Sequence, residues 1–465
     1  MVFSSSIFLF AFLPAVLLVY YLPLRRWRLG QNVFLLLASL FFYGWGAHEA
    51  LWLMVASILA NYLLGLWAGH ARSAGRSVRP AVAVAVVVNL SLLFVFKYLD
   101  FTISTLNMLG WELPLFGIEL PIGISFFTFQ AMSYVFDVAL GKAEAQKNPM
   151  NVGLYVSLFP QLVAGPIVKY ETVAHDILHR RENWADFSDG TRRFLIGLGK
   201  KVLLSNQLAV VADASFGAAA PTASLAWLGL VCYTLQLYYD FSGYSDMAIG
   251  LGKMFGFHFE ENFRWPYAAR SFIDLWRRWH ISLTDWFRDY LYIPLGGSRV
   301  SQAKQLRNLL IVWSLTGIWH GAEWTFLCWG LFSFLFIVLE KYCHLGRGWP
   351  APCQHILTLL IFVFSLVFFR ADDLPASMGY FAALFGANGG WEALTGFYFR
   401  ENLVFLIAGA LFAVPFAPWL RARAEKSRLA PVWSVGLSVG LLALLVVCSS
   451  FLIKQTYNPF IYFQF

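Results

Sequence analysis

Two histidines stand in runs of tryptophan, arginine and apolar residues. His280 lies in W-R-R-W-H-I-S-L and His320 lies in G-I-W-H-G-A. A titratable side chain in or beside a membrane span is costly to keep there, so both are functional candidates. Neutral imidazole, whose ordinary pKa is about 6.5, takes a proton from an attacking hydroxyl or thiol and returns it to the leaving group. Because burial keeps the ring neutral, we predict that His320 is a catalytic base and His280 the second catalytic residue.

Structural roles are the alternatives to these assignments. A lone histidine at a helix end usually serves the fold, and for His280 both interpretations stay open. The other seven histidines lie in or near loops, where we expect solvated or capping side chains. Nothing in the spacing of the nearby serines marks a nucleophile, and helix-end hydrogen bonding is their expected role.

A polar run at 235–250 interrupts an apolar segment and reads L-Q-L-Y-Y-D-F-S-G-Y-S-D-M-A-I-G. Side chains this polar do not suit a lipid-facing surface, so we expect a helix end inside the protein. Asp240 and Asp246 can each orient a histidine or a guanidinium, and helix capping is the alternative for either one. Gln236 and Ser242 belong to the same polar set.

Arginines beside the first histidine motif suit an anionic ligand. Arg277, Arg278 and Arg288 carry the planar donor group that binds phosphate well, as a phosphate-bearing donor molecule would require. Anionic lipid headgroups offer the same chemistry, so both interpretations stay open.

The composition requires lipid as the solvent. Of 465 residues, 59% are hydrophobic, 18% aromatic and only 13% charged, with a mean hydropathy of +0.62. One water-soluble core cannot hide that much apolar surface. The net charge of +8 comes from basic residues in short loops, a membrane-topology pattern that argues against nucleic-acid binding. The five cysteines include no C-x-x-C pair, so we expect neither a disulfide framework nor a metal site.

Apolar stretches that cross or nearly cross a bilayer recur about twelve times. They lie at 2–24, 31–46, 50–69, 80–97, 118–139, 192–216, 224–250, 306–319, 323–343, 355–370, 403–420 and 431–453. The first lacks a basic start and a cleavage site, so we expect a retained span. The basic loops fall on one side, which the positive-inside rule assigns to the cytoplasm, with both termini outside. The last such loop holds Arg421, Arg423, Lys426 and Arg428.

Two segments depart from simple spans. At 151–168, Pro160, Gly165 and Pro166 interrupt an apolar run, which predicts a re-entrant or broken element shielded by protein, with a membrane-surface loop as the alternative. At 271–292, a capping serine precedes apolar residues at steps of three and four, which predicts one amphipathic helix in the cytoplasmic interface.

The two histidines are expected at different depths. About twelve residues of apolar helix precede His320, which at ~1.5 Å per residue covers ~18 Å of a hydrocarbon layer of ~30 Å. His320 is therefore predicted part-way across, deep in protein, and His280 is reached from the cytoplasmic side. We find no linker that separates a second domain, so 1–465 is predicted to be one polytopic helical domain.

At these residues the sequence resembles the membrane-bound O-acyltransferases, and within them the bacterial alginate O-acetylation branch. The resemblance is carried by motifs spread over almost the whole chain: M-V-F-S-S at 1–5, P-I-G-I-S-F at 121–126, F-P-Q-L-V-A-G-P-I at 159–167, Q-L-Y-Y-D-F-S-G-Y-S-D-M-A-I-G-L-G at 236–252, the two histidine motifs, R-D-Y-L-Y-I-P-L-G-G at 288–297, and Y-F-Q-F at 462–465.

The resemblance implies an all-α fold of about 11–12 transmembrane helices, with re-entrant and interfacial helices around a tunnel and a catalytic core at about 118–345. It implies that His320 is the family's catalytic histidine and His280 its second, more variable position. We assign a further set to the donor site or tunnel lining: Trp276, Trp319, Arg277, Arg278, Gln236, Asp240, Ser242 and Asp246.

The resemblance also implies the substrates and the location. No bound cofactor is expected, and acetyl-CoA or another acyl thioester is the donor substrate. The acetyl group ends on an exported polysaccharide such as alginate or cellulose, through a periplasmic SGNH-type acetyltransferase or acceptor protein. The protein would then be a multi-pass protein of the bacterial inner membrane.

The alternative functions are a transporter and a non-catalytic scaffold. A transporter for a polysaccharide or lipid-linked sugar often has paired broken helices in two halves of the chain, and only one broken element is evident here. A non-catalytic scaffold for a periplasmic acetyltransferase predicts that both histidines can be replaced without loss of product.

Overall fold

The computed structural model describes residues 1–427 and 430–454, and throughout these ranges the regular structure is helical. Arg428 of the last basic loop and the Y-F-Q-F motif at 462–465 lie outside the described residues. In lipid, a backbone satisfies its own hydrogen bonds by forming helices, so apolar runs of this length fold in this way. The α-helices are α1 Leu13–Tyr21, α2 Arg28–Gly44, α3 His48–Ser73, α4 Arg79–Leu93, α5 Leu99–Met108, α6 Ile124–Leu140, α7 Pro149–Ser157, α8 Tyr170–His179, α9 Trp184–Gly199, α10 Asn206–Phe216, α11 Ala223–Met254, α12 Phe272–Trp276, α13 Ile281–Phe287, α14 Gln302–His320, α15 Trp324–Tyr342, α16 Ala351–Arg370, α17 Leu374–Leu384, α18 Ala393–Phe412, α19 Phe416–Glu425 and α20 Ala430–Lys454.

Short π-helical turns join several of these helices. They are Phe8–Phe12, Phe94–Tyr98, Lys200–Ser205 and Arg288–Tyr292, and one 3₁₀ turn lies at Pro266–Ala268.

Within the described residues, seven helices are long and apolar enough to cross a membrane. They are His48–Ser73, Arg79–Met108, Trp184–Phe216, Trp324–Tyr342, Ala351–Arg370, Ala393–Phe412 and Val432–Lys454. Each of the other predicted spans coincides with a helix that is shorter, as Ile124–Leu140 is, or more polar, as α11 is. The all-α, polytopic membrane class is confirmed. Among the described residues, seven helices are long and apolar enough to cross a membrane, fewer than the predicted number of about twelve.

The chain divides into two compact units. The first comprises Met1–Phe194 and Ser245–Glu260, and the second comprises Leu195–Tyr244 and Glu261–Phe465. Both units are helical.

The predicted broken element lies in the first unit. Helix α7 ends at Ser157, the backbone is irregular over 158–169, and every residue from 151 to 170 is buried. Neighbouring side chains pair the irregular backbone: the Tyr155 hydroxyl donates to the Val168 carbonyl at 2.8 Å, and the Phe159 N–H donates to Ser39 Oγ at 3.0 Å. The broken element is confirmed, and its burial argues against the membrane-surface loop.

The amphipathic segment of the second unit is not one helix, and this prediction was wrong. Ser271 does cap the start, because its hydroxyl accepts the Asp274 N–H at 3.0 Å. The helix then ends at Trp276, and α13 begins only at Ile281. The break is made by His280, whose φ of 44° and ψ of 53° are left-handed and cannot continue a right-handed helix. The apolar stripe through Leu275, Trp279 and Leu283 is nevertheless buried, as predicted.

Helices α14 and α15 form an antiparallel hairpin whose closest approach is at two glycines. A Cβ on Gly317 would overlap the carbonyl oxygen of Phe326, and a Cβ on Gly330 would overlap that of Trp313. Neither backbone can move away without separating the helices. Because His320 is the last residue of α14, this contact fixes the position of its side chain.

We expect Gly330→Ala to destabilise the protein by about 1–3 kcal/mol, because the new methyl group meets backbone atoms that cannot rotate aside. Thermal unfolding of the purified protein in detergent measures the effect. Gly379→Ala is the matched control, since a Cβ at that helical position meets nothing within 4 Å and should be neutral or slightly stabilising. Equal melting temperatures for the two variants would contradict the close packing.

Candidate functional site

His320 ends helix α14 inside an aromatic enclosure of the second unit. Its side chain is 6% exposed. The imidazole ring lies 5.0 Å from the rings of Trp319 and Trp329 and 5.2 Å from that of Phe369, all measured between centroids and all edge to face. The chain leaves α14 in extended conformation at Gly321, where a Cβ would overlap the Phe326 ring. The G-I-W-H-G-A motif therefore supplies both the histidine and the glycines that allow its neighbours to close around it.

His280 belongs to the left-handed turn between α12 and α13 and is 2% exposed. The side-chain oxygen of Asn262 lies 3.2 Å from its Nδ1 and also accepts hydrogen bonds from the N–H and the hydroxyl of Ser282, at 3.2 and 2.9 Å. The Asn262 carbonyl accepts the Ile281 N–H at 3.0 Å. One buried asparagine thus contacts the His280 ring and holds the two residues that follow it.

The two predicted catalytic histidines are neighbours, although the sequence had predicted them at different depths. Their ring centroids lie 6.5 Å apart, and the Trp319 ring contacts both, at 5.0 Å from His320 and 6.0 Å from His280. The Phe241 ring of α11 packs edge-on against His280 at 4.5 Å. All of these residues belong to the second unit. A substrate group that reaches one imidazole is therefore within reach of the other.

Burial, together with the nearby His320, holds the pKa of His280 well below its usual range. His280 lies between α12 and α13, outside the seven helices long enough to span the membrane. Removal from water penalises the charged imidazolium, so the folded protein keeps this ring neutral at pH values where a solvated histidine takes a proton. A neutral ring is the form that accepts a proton from a hydroxyl.

This shift predicts a pH-dependent stability. Because the folded pKa lies below the unfolded value of about 6.5, the unfolded chain binds more protons below that pH, and the free energy of unfolding falls as the pH falls. One such group adds at most ~1.4 kcal/mol per pH unit to the slope of the free energy of unfolding against pH, and it adds nothing to that slope well above pH ~7. Melting curves at stepped pH test this: His280→Asn should flatten the acid slope, and an unchanged slope would contradict the neutral assignment.

Helix α11 brings several predicted residues into the second unit. Gln236 and Ser242 are buried, and neither Gln236 Oε1 nor Ser242 Oγ has a hydrogen-bond partner among the residues the structure describes. Asp240 forms an ion pair with Lys201, and both side chains are almost completely buried. The Asp240 carboxylate is thus paired with an ammonium, whereas the sequence had suggested a histidine or guanidinium.

Other predicted residues are paired with charged groups or exposed. Asp246 belongs to the first unit and accepts two hydrogen bonds from the Arg193 guanidinium, at 2.9 and 2.8 Å. Arg278 pairs with Asp274 one turn earlier, at 3.0 Å, and Arg277 is exposed.

Trp276 extends the aromatic enclosure beyond His320. Its ring lies 5.5 Å from Trp329 and 4.9 Å from Trp313. The indole N–H groups of Trp276 and Trp329 and the hydroxyl of Ser333 are buried without a hydrogen-bond partner in the described part of the chain. Buried donors are nearly always paired in proteins, so these three groups suit a polar ligand atom.

Three positioning residues were not predicted from the sequence. They are Asn262, Trp329 and Glu340, whose carboxylate accepts the N–H groups that begin α12, at 2.6 Å from Phe272 and 3.3 Å from Ile273. The sequence signals were weak: Asn262 is a single polar residue in a loop, and Glu340 is a lone acid near the end of an apolar helix. Neither periodicity nor motif spacing marks such residues.

The sequence also matches known proteins. Residues 37–369 match the model of the membrane-bound O-acyltransferase family. The chain is 37% identical to a probable alginate O-acetylase of Azotobacter vinelandii and 39% identical to one of Pseudomonas putida, with all of both chains covered in each case. It is 35% identical to a peptidoglycan O-acetyltransferase of Helicobacter pylori, over 84% of this chain and 80% of the relative.

Proposed function

We propose, from the premise that this chain belongs to the membrane-bound O-acyltransferase family, that it passes an acetyl group from a cytoplasmic thioester to a hydroxyl acceptor for O-acetylation of an exported polysaccharide. The protein is a multi-pass membrane acyltransferase. Relatives named for alginate and for peptidoglycan O-acetylation support acetyl as the group transferred and a polysaccharide as its destination.

The neighbouring buried histidines are the observation that carries this proposal. Two imidazoles with centroids 6.5 Å apart, enclosed by tryptophan and phenylalanine rings, provide a proton acceptor in a buried site. A structural histidine needs one satisfied contact and does not need a second imidazole beside it. Such an arrangement suits acid–base catalysis of acyl transfer, because one ring moves the proton while the other contacts the bound substrate.

In the proposed reaction His320 is the base. An imidazole nitrogen of His320 takes the acceptor hydroxyl proton while that oxygen attacks the thioester carbonyl carbon. The new C–O ester bond forms, the C–S bond breaks, and the leaving thiolate takes the proton back from the imidazolium. No net proton is lost, and the products are the ester and the free thiol.

Other residues of the second unit would bind the donor. The indole N–H groups of Trp276 and Trp329 are suited to the thioester carbonyl oxygen, on which negative charge develops. Trp319, Gln236 and Ser242 would line the path of the acyl chain or acceptor, and Arg277 and Arg278 would meet the phosphates of acetyl-CoA. The predicted core at 118–345 includes all of these residues.

The membrane arrangement follows from the basic loops. We infer a bacterial inner-membrane protein with the basic loops in the cytoplasm and both termini in the periplasm. A periplasmic SGNH-type acetyltransferase or acceptor protein would then receive the acetyl group and pass it to the polysaccharide.

Proteoliposomes provide the test of this function. Labelled acetyl-CoA is supplied on one face only, and an alginate oligosaccharide with a candidate periplasmic partner on the other. The proposal predicts ester-linked label on the oligosaccharide that depends on this protein and on donor at the face bearing the basic loops. Oligosaccharide movement without ester formation would instead support the transporter hypothesis, and mass spectrometry of the protein would reveal any covalent acetyl-enzyme.

A further inference from the structure

The hydrogen bonds around Asn262 determine which nitrogen of His280 carries the proton. The Asn262 side chain is fully buried, and one of its terminal atoms lies 3.2 Å from the Ser282 N–H nitrogen. A backbone N–H only donates, so that terminal atom is the amide oxygen and not the nitrogen. The Ser282 hydroxyl, 2.9 Å from the same oxygen, then also donates to it.

The same oxygen lies 3.2 Å from His280 Nδ1. An amide oxygen carries lone pairs and no hydrogen, so an unprotonated Nδ1 would place two lone pairs against each other in a buried site. A protonated Nδ1 instead donates a third hydrogen bond to it. In a neutral imidazole, a proton on Nδ1 leaves the lone pair on Nε2.

We infer that Asn262 is a positioning residue that holds neutral His280 as its Nδ1–H tautomer, so that Nε2 is the nitrogen that carries the lone pair and accepts a hydrogen bond from a donor group of the bound substrate. The catalytic meaning of this inference rests on the proposed acyltransferase function, whereas the tautomer itself does not. No role for Asn262 follows from its position in the sequence, 18 residues before His280.

The backbone supports the same assignment. Asn262 accepts the Ile281 N–H through its carbonyl and the Ser282 N–H through its side chain, so the two residues after His280 are held by one partner. A left-handed conformation at a non-glycine residue is unfavourable and persists where its surroundings impose it. The ring direction of His280 is therefore set from both its own nitrogen and its backbone.

The choice of a neutral amide has a chemical consequence. A carboxylate at position 262 would also accept the Nδ1–H bond, but its negative charge would favour the imidazolium and so remove the lone pair from Nε2. An uncharged acceptor fixes the tautomer and keeps the ring basic. Among the described residues, the neighbouring titratable ring is that of His320, and the centroids of the His280 and His320 rings lie 6.5 Å apart.

Nitrogen NMR of the intact protein in bilayers, labelled with ¹⁵N-histidine, tests the tautomer without any assay of activity. The chain has nine histidines, and a difference spectrum against His280→Asn identifies the His280 signals. At pH ~7.5 the inference predicts a protonated Nδ1 and an unprotonated Nε2 for His280. The opposite pattern in the wild-type protein would overturn it.

Three variants test whether Asn262 is the cause. Asn262→Leu removes the acceptor, and His280 should shift wholly or partly to the Nε2–H tautomer; a spectrum that stays purely Nδ1–H would overturn the positioning role. If Asn262→Leu does not fold, Asn262→Asp is measured instead. This variant keeps a hydrogen-bond acceptor at position 262, so the spectrum must still show a proton on His280 Nδ1. Ser282→Ala removes one donor but leaves the backbone N–H, so the wild-type tautomer should persist, and its loss would count against the assignment.

Activity separates this inference from the proposed function. If the wild-type protein transfers acetyl groups, Asn262→Leu should lower the rate at saturating donor by about 10²-fold with little change in donor KM, because it misdirects a catalytic ring and not a binding group. If the wild-type protein shows the Nδ1–H tautomer but no acyl transfer under any condition, the proposed function fails while the tautomer assignment stands.

Discussion

Replacing His320 by alanine is expected to lower acetyl transfer by about 10²- to 10⁴-fold, the range that positioned acid–base groups contribute. The loss arises because the variant lacks the imidazole enclosed by Trp319, Trp329 and Phe369. The neighbouring His280 ring, with its centroid 6.5 Å away, does not occupy the position of the base. The measurement is the ester-linked acetyl content of the secreted polysaccharide, in cells whose membranes contain equal amounts of wild-type protein and variant.

Two controls keep that result interpretable. His320→Gln preserves much of the side-chain volume and should be as inactive as the alanine variant, which excludes a cavity as the cause. His48→Gln replaces an exposed histidine and should acetylate normally. Wild-type acetylation by His320→Ala, or by a variant that lacks both His320 and His280, would favour a scaffold for another enzyme.

Lys201→Met is expected to destabilise the protein by about 3–5 kcal/mol, the cost of leaving one member of a buried ion pair without the other. The Lys201 ammonium and the Asp240 carboxylate are 3% and 1% exposed, so water cannot solvate the charge that remains. Melting temperature in detergent and the yield of membrane-inserted protein are the readouts, and both should fall sharply.

A double variant distinguishes charge imbalance from lost packing. Lys201→Met with Asp240→Leu replaces the pair by apolar groups and should recover most of the lost stability, since buried pairs contribute little net stability over well-packed hydrophobic residues. Arg421→Ala breaks an exposed pair with Glu425 and should cost at most ~1 kcal/mol. A double variant as unstable as Lys201→Met alone would refute the explanation.

Much of the helical architecture follows from the sequence, because lipid leaves an apolar backbone few alternatives. Each predicted apolar stretch overlaps a helix, and the prolines at 160 and 166 correctly predicted an interruption. The number of spans is less predictable, since α6 and α11 are helical yet short or polar. Most of their residues are buried in protein, which composition alone does not distinguish from burial in lipid.

The two histidines of the candidate site could be predicted from the sequence, but the residues that position them could not. The cost of placing histidines in such apolar surroundings singled out His280 and His320, and the structure brings their rings together. The break at His280 was missed because a stripe of apolar residues at helical spacing continues through it, and periodicity does not register one residue with positive φ. Asn262 was missed because its partners lie in another part of the chain, which only the folded structure reveals.

The left-handed backbone at His280 limits how mutational scans at this position can be interpreted. Alanine at position 280 would remove the imidazole and would also bear the steric penalty of a positive φ. An inactive alanine variant would therefore not show whether lost chemistry or lost folding was the cause. Asparagine tolerates that conformation and is the cleaner substitution for isolating the ring's contribution. A deep mutational library should therefore rank asparagine and glycine above alanine for abundance at codon 280, whatever their catalytic output.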